Sequence, residues 1–175
     1  LHQMGAHVVI VGRNPQKTAD VIAEMKAQNP TGGEVDGMVV DLSSLVEIRR
    51  MAEEFKQKYE RLDVLVNNAG AYFNRREVSV DGFEMTFALN HLGYFYLTYL
   101  LLDMIKSSAP ARIVNVSSGA HAMGKINFDN LNSEGLYLKD ENPLMFFIVQ
   151  AMSDDGKARH LSRERLSKHS GFEMF

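Results

Sequence analysis

The chain has 175 residues, 45% hydrophobic and 23% charged, which suits one ordinary globular domain and argues against a disordered or multidomain protein. Lys and Arg number 19 against 22 Asp and Glu, a net charge of -3, whereas a protein that tracks nucleic-acid phosphate carries a basic excess; no nucleic-acid partner is expected. There is no cysteine, so a disulfide framework, a thiolate zinc site and a Cys nucleophile are all excluded, and a reducing compartment such as the cytoplasm is expected.

The most apolar stretch, Leu92 to Ile105, is 14 residues long and dotted with Tyr. A membrane span needs about 20 apolar residues, so this stretch reads as a buried helix and no transmembrane segment is expected; membrane association through other parts stays open. The sequence enters an apolar strand within a few residues of Leu1 with no signal-peptide pattern, and reads as starting inside a domain.

In chain order, His7-Val-Val-Ile-Val11 is a β-branched run stopped by Gly12, and Asn14-Pro15 supplies an N-cap and a first-turn proline. The helix that follows carries Ala19, Ile22 and Met25 and breaks at Asn29-Pro30-Thr31-Gly32-Gly33. A second strand ends in Met38-Val-Val40. Ser44 with Glu47 forms a capping box for a helix whose Leu45, Ile48, Ala52, Phe55 and Tyr59 make one apolar stripe. Asp63-Val-Leu-Val66 is a third strand running into Asn67-Asn68-Ala69-Gly70. Ala71 to Val80 reads as loop, and a helical region runs from about Gly82 to Ser107, with Gly93 as a point of breakage or bending. Arg112-Ile-Val-Asn-Val116 is a fourth strand, followed by Ser117-Ser118-Gly119.

Strands alternate with helices, each crossover is long enough for a helix, and no hairpin dipeptide joins two strands, so the class is α/β with a parallel sheet. From about Asp140 the pattern fails. Leu144 to Val149 is an isolated apolar run after Pro143, and Ser153 to Ser170 is charged with poorly spaced apolar positions, so the tail is expected to be poorly ordered.

Ligands of parallel sheets collect at the carboxyl ends of the strands, where free N–H groups converge. Four polar clusters stand there: Gly12-Arg13-Asn14, Asp41-Leu42-Ser43, Asn67 to Gly70, and Asn115 to Gly119. An Arg in such a place can pair with a phosphate dianion, and an Asp after the next strand can accept hydrogen bonds from an adenine or ribose edge. Each cluster alone also suits turn or capping duty. Four on successive strands favour a ligand.

Leu62-Asp-Val-Leu-Val-Asn-Asn-Ala-Gly70, Phe87-Ala-Leu-Asn-His-Leu-Gly93 and Arg112-Ile-Val-Asn-Val-Ser-Ser118 together resemble the short-chain dehydrogenase/reductase family. Asn90 to Thr98 followed by Ser108 to His121 is most similar to its retinol-dehydrogenase-like branch, and the resemblance covers residues 1 to about 139. It implies a doubly wound, Rossmann-like fold and hydride transfer between NADP(H) and a small apolar alcohol, aldehyde or ketone, retinoid-like among them. Asn68, Ala69 and Gly70 would line the cofactor, Asp41 and Leu42 would hold its adenine end, and Arg13 would favour NADP over NAD. Asn90 would hold a water in a proton relay, and Ser118, rather than Ser117, would hydrogen-bond the substrate oxygen. His91 and His121 read as packing or solvent residues, since the family pattern gives neither a catalytic role. The helix around Tyr94 to Leu102 is a candidate surface for a homo-oligomer.

Two parts of that family's pattern are absent. Leu1-His-Gln-Met-Gly-Ala6 matches only the end of the helix beyond the glycine-rich turn that receives pyrophosphate. The family's general acid is a Tyr with a Lys four residues later, whose cation lowers the phenol pKa. Four residues after Tyr59, Tyr72, Tyr94, Tyr96, Tyr99 and Tyr137 stand Asp63, Arg76, Thr98, Leu100, Asp103 and Glu141, and none is Lys. Continued without gaps, the branch pattern would put the pair at Pro143 and Phe147, as an altered reading frame, an alternative exon or a mis-joined segment would produce.

In the doubly wound order, the strand before the glycine-rich turn lies between those at His7 and Asp63, so a gap is expected in mid-sheet. Residues 1–139 are thus read as a partial dinucleotide-binding domain and 140–175 as a divergent tail, in a protein expected to be inactive as it stands. The competing readings are a non-catalytic form acting in nucleotide or protein binding, and an unrelated α/β nucleotide binder.

Overall fold

The computed structural model describes residues 1–73, 75–118 and 128–134, with the backbone of 151–152 and 158–159. After a 3-10 turn at His2–Met4 come β1 (Val8–Gly12), α1 (Pro15–Gln28), β2 (Val35–Val39), α2 (Leu45–Lys58) and β3 (Val64–Asn67). A helical run follows in three parts: α3 (Met85–Phe87), a π-turn (Ala88–Leu92) and α4 (Gly93–Ser107). Then come β4 (Arg112–Asn115) and two short strands, β5 (Ala151–Met152) and β6 (Ala158–Arg159), which pair antiparallel and were not legible as strands in the sequence.

The sheet is parallel as its long crossovers require. β1 pairs with β2 from Val8↔Val35 to Gly12↔Val39, and β3 pairs with β4 from Val64↔Arg112 to Asn67↔Asn115. Among the described residues these are two separate two-stranded sheets, with no ladder joining β1 to β3. The gap falls where the doubly wound order places it.

One core nonetheless spans both pairs. Ile48, Met51, Ala52 and Phe55 recur at helical spacing along α2 and bury against Met38 and Val40 on one side and Leu65, Leu97, Leu101 and Ile105 on the other. At about 1.5 to 3 kcal/mol for each large apolar side chain buried, this seam outweighs any single polar contact in the molecule. Met51 belongs to the α2 stripe although the sequence pattern passes over it, and Tyr59 stands just past the helix as its C-cap. The helical run starts at Met85, and its irregularity precedes Gly93 rather than falling on it.

The capping box at Ser44 is looser than expected. Ser44 Oγ accepts from Glu47 N at 3.5 Å, while the Glu47 carboxylate takes Asp41 N at 2.8 Å and Asp81 takes Leu45 N at 2.8 Å. Asp81 arrives from a turn between Val78 and Glu84, which form an antiparallel bridge; Gly82 closes that turn at φ +85°, a conformation that disfavours a side chain. Gly119, His121, Tyr137, Pro143, Phe147 and the run Leu144 to Val149 lie outside the described residues.

Candidate functional site

The four polar clusters leave their strands at one edge of each pair. Val40 N donates to Gly12 O at 3.1 Å, so Arg13 and Asp41 depart from neighbouring strands. Arg13 is exposed and has no hydrogen-bond or ion-pair partner among the described residues. Asn14 is committed to the fold: its side chain accepts from Lys17 N at 2.9 Å and caps α1. Asp41 divides its duties, one oxygen accepting from Ser43 N at 2.9 Å and from Ser43 Oγ at 2.6 Å. Leu42 is half-buried, and its carbonyl lies against Gly93.

At the other pair, Val116 N donates to Asn67 O at 2.8 Å, which carries the ladder one step past β3 and brings the two exit loops side by side. Asn67 is buried, and its amide donates to Asn115 Oδ1 at 2.7 Å and Thr98 Oγ1 at 3.1 Å. This bond set ties the carboxyl ends of β3 and β4 to α4, the ends from which Asn68–Gly70 and Ser117–Ser118 continue. Asn68 and Gly70 are exposed, and both serines are half-buried.

Asn90 sits in the π-turn, buried, and grips the loop from below. Its Nδ2 donates to Ala71 O at 2.9 Å, and its Oδ1 accepts from Ala71 N at 3.0 Å. Both ends of the amide therefore bind the residue that follows Gly70. π-turns recur at functional sites because they redirect a side chain and a carbonyl out of the regular ladder. Sequence reasoning placed Asn90 in the site but missed this partner, together with Thr98, Asp81 and Glu84, whose contacts cross between segments that no local pattern connects.

Burial pushes the Tyr94 phenol up to about 12 and lowers the His91 pKa. The His91 ring stacks on Phe87 at 5.3 Å, as expected of a packing residue. Among the described residues no group of His, Cys, Asp and Glu could hold a metal ion. A hollow lined by His2, Lys26, Pro30, Gly33, Glu34 and Asp36 lies at the amino end of β2, away from all four clusters. No helix among the described residues is long and apolar enough to cross a membrane.

Parallel strands with polar loops gathered at their carboxyl edge define a Rossmann-like nucleotide-binding fold. The family model described as "short chain dehydrogenase" matches residues 1–130, and the chain belongs to that family. It is 42% identical over 150 residues to mouse retinol dehydrogenase 14, covering 79% of this chain and 44% of the relative. It is 41% identical over 186 aligned positions to human retinol dehydrogenase 13, covering 98% of this chain and 56% of the relative. The chain thus spans about half the length of the curated relatives it matches. A solved structure described as the Pseudomonas aeruginosa RhlG/NADP active-site complex superposes with a TM-score of 0.59 at 32% identity, over 78% of this chain and 53% of that one. The matched relatives are named as retinol dehydrogenases, and that solved structure is described with NADP at its active site.

Proposed function

We propose that the protein belongs to a branch that moves a hydride between NADP(H) and an apolar alcohol or carbonyl compound, retinoid-like in character, and that these 175 residues supply its nucleotide-binding loops without the Tyr and Lys pair of the proton transfer. The observation that carries this reading is the gathering of four polar clusters, distant in sequence, at the carboxyl edges of both strand pairs. The donor set fits a dinucleotide. Arg13, exposed and without a partner among the described residues, would take the 2'-phosphate, and Asp41 with Leu42 would hold the adenine end. Asn68, Ala69 and Gly70 would lie along the nicotinamide half, which when bound gives or takes the hydride. Ser118 would donate to the substrate oxygen as charge develops on it. Asn90 would hold a relay water, its amide keeping one donor and one acceptor beyond the two bonds to Ala71.

On the same reading, residues 1–139 form the dinucleotide-binding domain and 140–175 a divergent tail. The lack of cysteine suits a reducing compartment. Self-association would use α4 around Tyr94 to Leu102, where Phe95 and Tyr99 are 65% and 66% exposed one helical turn apart.

The cofactor assignment is tested by titrating the protein with NADPH and NADH and following nicotinamide fluorescence. A charge-assisted bond from Arg13 is worth about 1.5 to 3 kcal/mol, so NADPH binds at least about tenfold tighter, and Arg13→Ala removes that difference. Equal affinities in the unaltered protein would return Arg13 to a solvated surface charge.

A further inference from the structure

Glu84 has 0% exposure, an unusual position for a carboxylate, and a buried carboxylate persists only where hydrogen bonds replace its water. Its two oxygens each accept a backbone N–H, from Thr86 and from Phe87, both at 2.8 Å. These are among the donors that the start of a helix leaves without partners. Glu84 O accepts from Ala88 N at 2.8 Å, and Glu84 N donates to Asn132 Oδ1 at 3.1 Å. Asn132 in turn accepts at its own carbonyl from Arg76 Nε at 3.0 Å. Three segments therefore meet at Glu84: the loop after β3, the start of the helical run, and residues 128–134 beyond β4.

The consequence lies six residues on. Where a helical run starts fixes the direction of every side chain along it, because each residue is turned by about 100° from the last. A one-residue slip at the start would swing Asn90 away from Ala71, and the π-turn at Ala88–Leu92, where the ladder widens from i→i+4 to i→i+5, is where the run can absorb such a slip. A single short cap bonds one N–H; the Glu84 carboxylate bonds two in succession and pins the start.

We propose that Glu84, braced by Asn132, is a positioning residue for Asn90. It sets the register of the π-turn and so delivers the Asn90 amide to the backbone of Ala71, at the end of the Asn68–Gly70 loop. The functional weight of this latch rests on the proposed reading of that loop and Asn90 as part of the nucleotide site, whereas the latch itself is tested without nucleotide or turnover.

The Ala71 amide is the reporter, because its acceptor is the Asn90 side chain and not a backbone ladder. Hydrogen exchange is compared in the full chain, in Glu84→Ala and in Asn90→Ala. We expect Glu84→Ala to speed exchange at Ala71 by about tenfold, close to the effect of Asn90→Ala, while amides from Ile48 to Phe55 keep their rates. Faster exchange at Thr86 and Phe87 with Ala71 unchanged would overturn the proposal and leave Glu84 a local cap. Uniform acceleration that includes α2 would overturn it as well, as a general loss of stability. If Glu84→Ala does not fold, Glu84→Gln, which keeps one acceptor, and Asn132→Ala, which keeps the carboxylate, decide by the same comparison. Failure here leaves the NADPH titration untouched, and failure of that titration leaves the latch standing.

Discussion

Gly93 lies so close to the carbonyl of Leu42 that a Cβ on it would stand 2.5 Å from that oxygen. The first residue of α4 and the loop after β2 are thus in backbone contact, and the Asp41–Ser43 loop is seated on the helical run that carries Asn90. Alanine at this position gains helix propensity but forces helix and loop apart. We expect Gly93→Ala to destabilise the protein by about 1 to 3 kcal/mol in urea unfolding. Unchanged stability would show that the loop yields freely and is not seated there.

That contact also marks where sequence reading stops. β1 to β4 and the helices α1 and α2 were legible because β-branched runs, the Asn14 cap and the α2 stripe are local patterns, and the missing ladder between β1 and β3 followed from the strand order. The Asn67 to Gly70 and Asn115 to Ser118 clusters were visible as motifs at strand ends. What joins them was not: Asn67 to Thr98, Asp81 to Leu45 and Glu84 to Asn132 are 31 to 48 residues apart in the chain. Only half of the capping box forms for the same kind of reason: Ser44 N donates to Asp41 O, the Glu47 carboxylate takes Asp41 N instead, and Asp81, distant in sequence, takes the Leu45 amide.

The Asn67 amide gives a prediction about the ends of β3 and β4. It donates to both Asn115 and Thr98 from a buried position, so its loss deprives two partners of a donor. Asn67→Ala should cost about 1 to 3 kcal/mol. Asn67→Asp, nearly the same shape, presents an acceptor to the Asn115 oxygen and buries a charge, so it should cost more. Asp tolerated as well as Ala in denaturant melts would mean that the amide does not donate to Asn115.

At the opposite end of the strands, Asp36 accepts from Tyr59 Oη at 2.7 Å, Lys58 Nζ at 2.9 Å and His7 Nε2 at 3.2 Å. The Tyr59 hydrogen bond, followed by that from Lys58, holds the Asp36 carboxyl below its ordinary range. Burial, followed by the bond to Asp36, raises the Tyr59 phenol. The signs define a window. A depressed carboxyl pKa contributes stability above its unfolded value near 4, lost as pH falls toward the folded value; a raised phenol pKa contributes stability below its unfolded value near 10, lost as pH rises through the folded one. Stability from this cluster is therefore level between about pH 4 and 10. Tyr59→Phe should lose about 1 kcal/mol within that window, screened because the site is partly open to water, and should lose less further stability than the parent on acidification. A variant whose Tm falls in parallel with the parent below pH 4 would show that the phenol does not hold Asp36.

Turnover is the remaining prediction. Ser118 lies three residues past β4 and Asn90 within the π-turn, and a nicotinamide nucleotide is the hydride carrier that the proposed function calls for. Reduction of a carbonyl also needs a proton on the oxygen, from an acid that exchanges near neutral pH. No Tyr in the sequence has a Lys four residues on. The phenol in the helical run nearest Asn90, Tyr94, is pushed up to about 12 by burial, the wrong direction for this task, and His91 is stacked on Phe87 with its pKa lowered. The 175-residue protein incubated with NADPH and a panel of apolar aldehydes is therefore expected to show no oxidation of NADPH above blank. Binding of NADPH without turnover would fit the nucleotide-binding role alone. Robust turnover that Ser118→Ala abolishes would mean that another group in the chain delivers the proton.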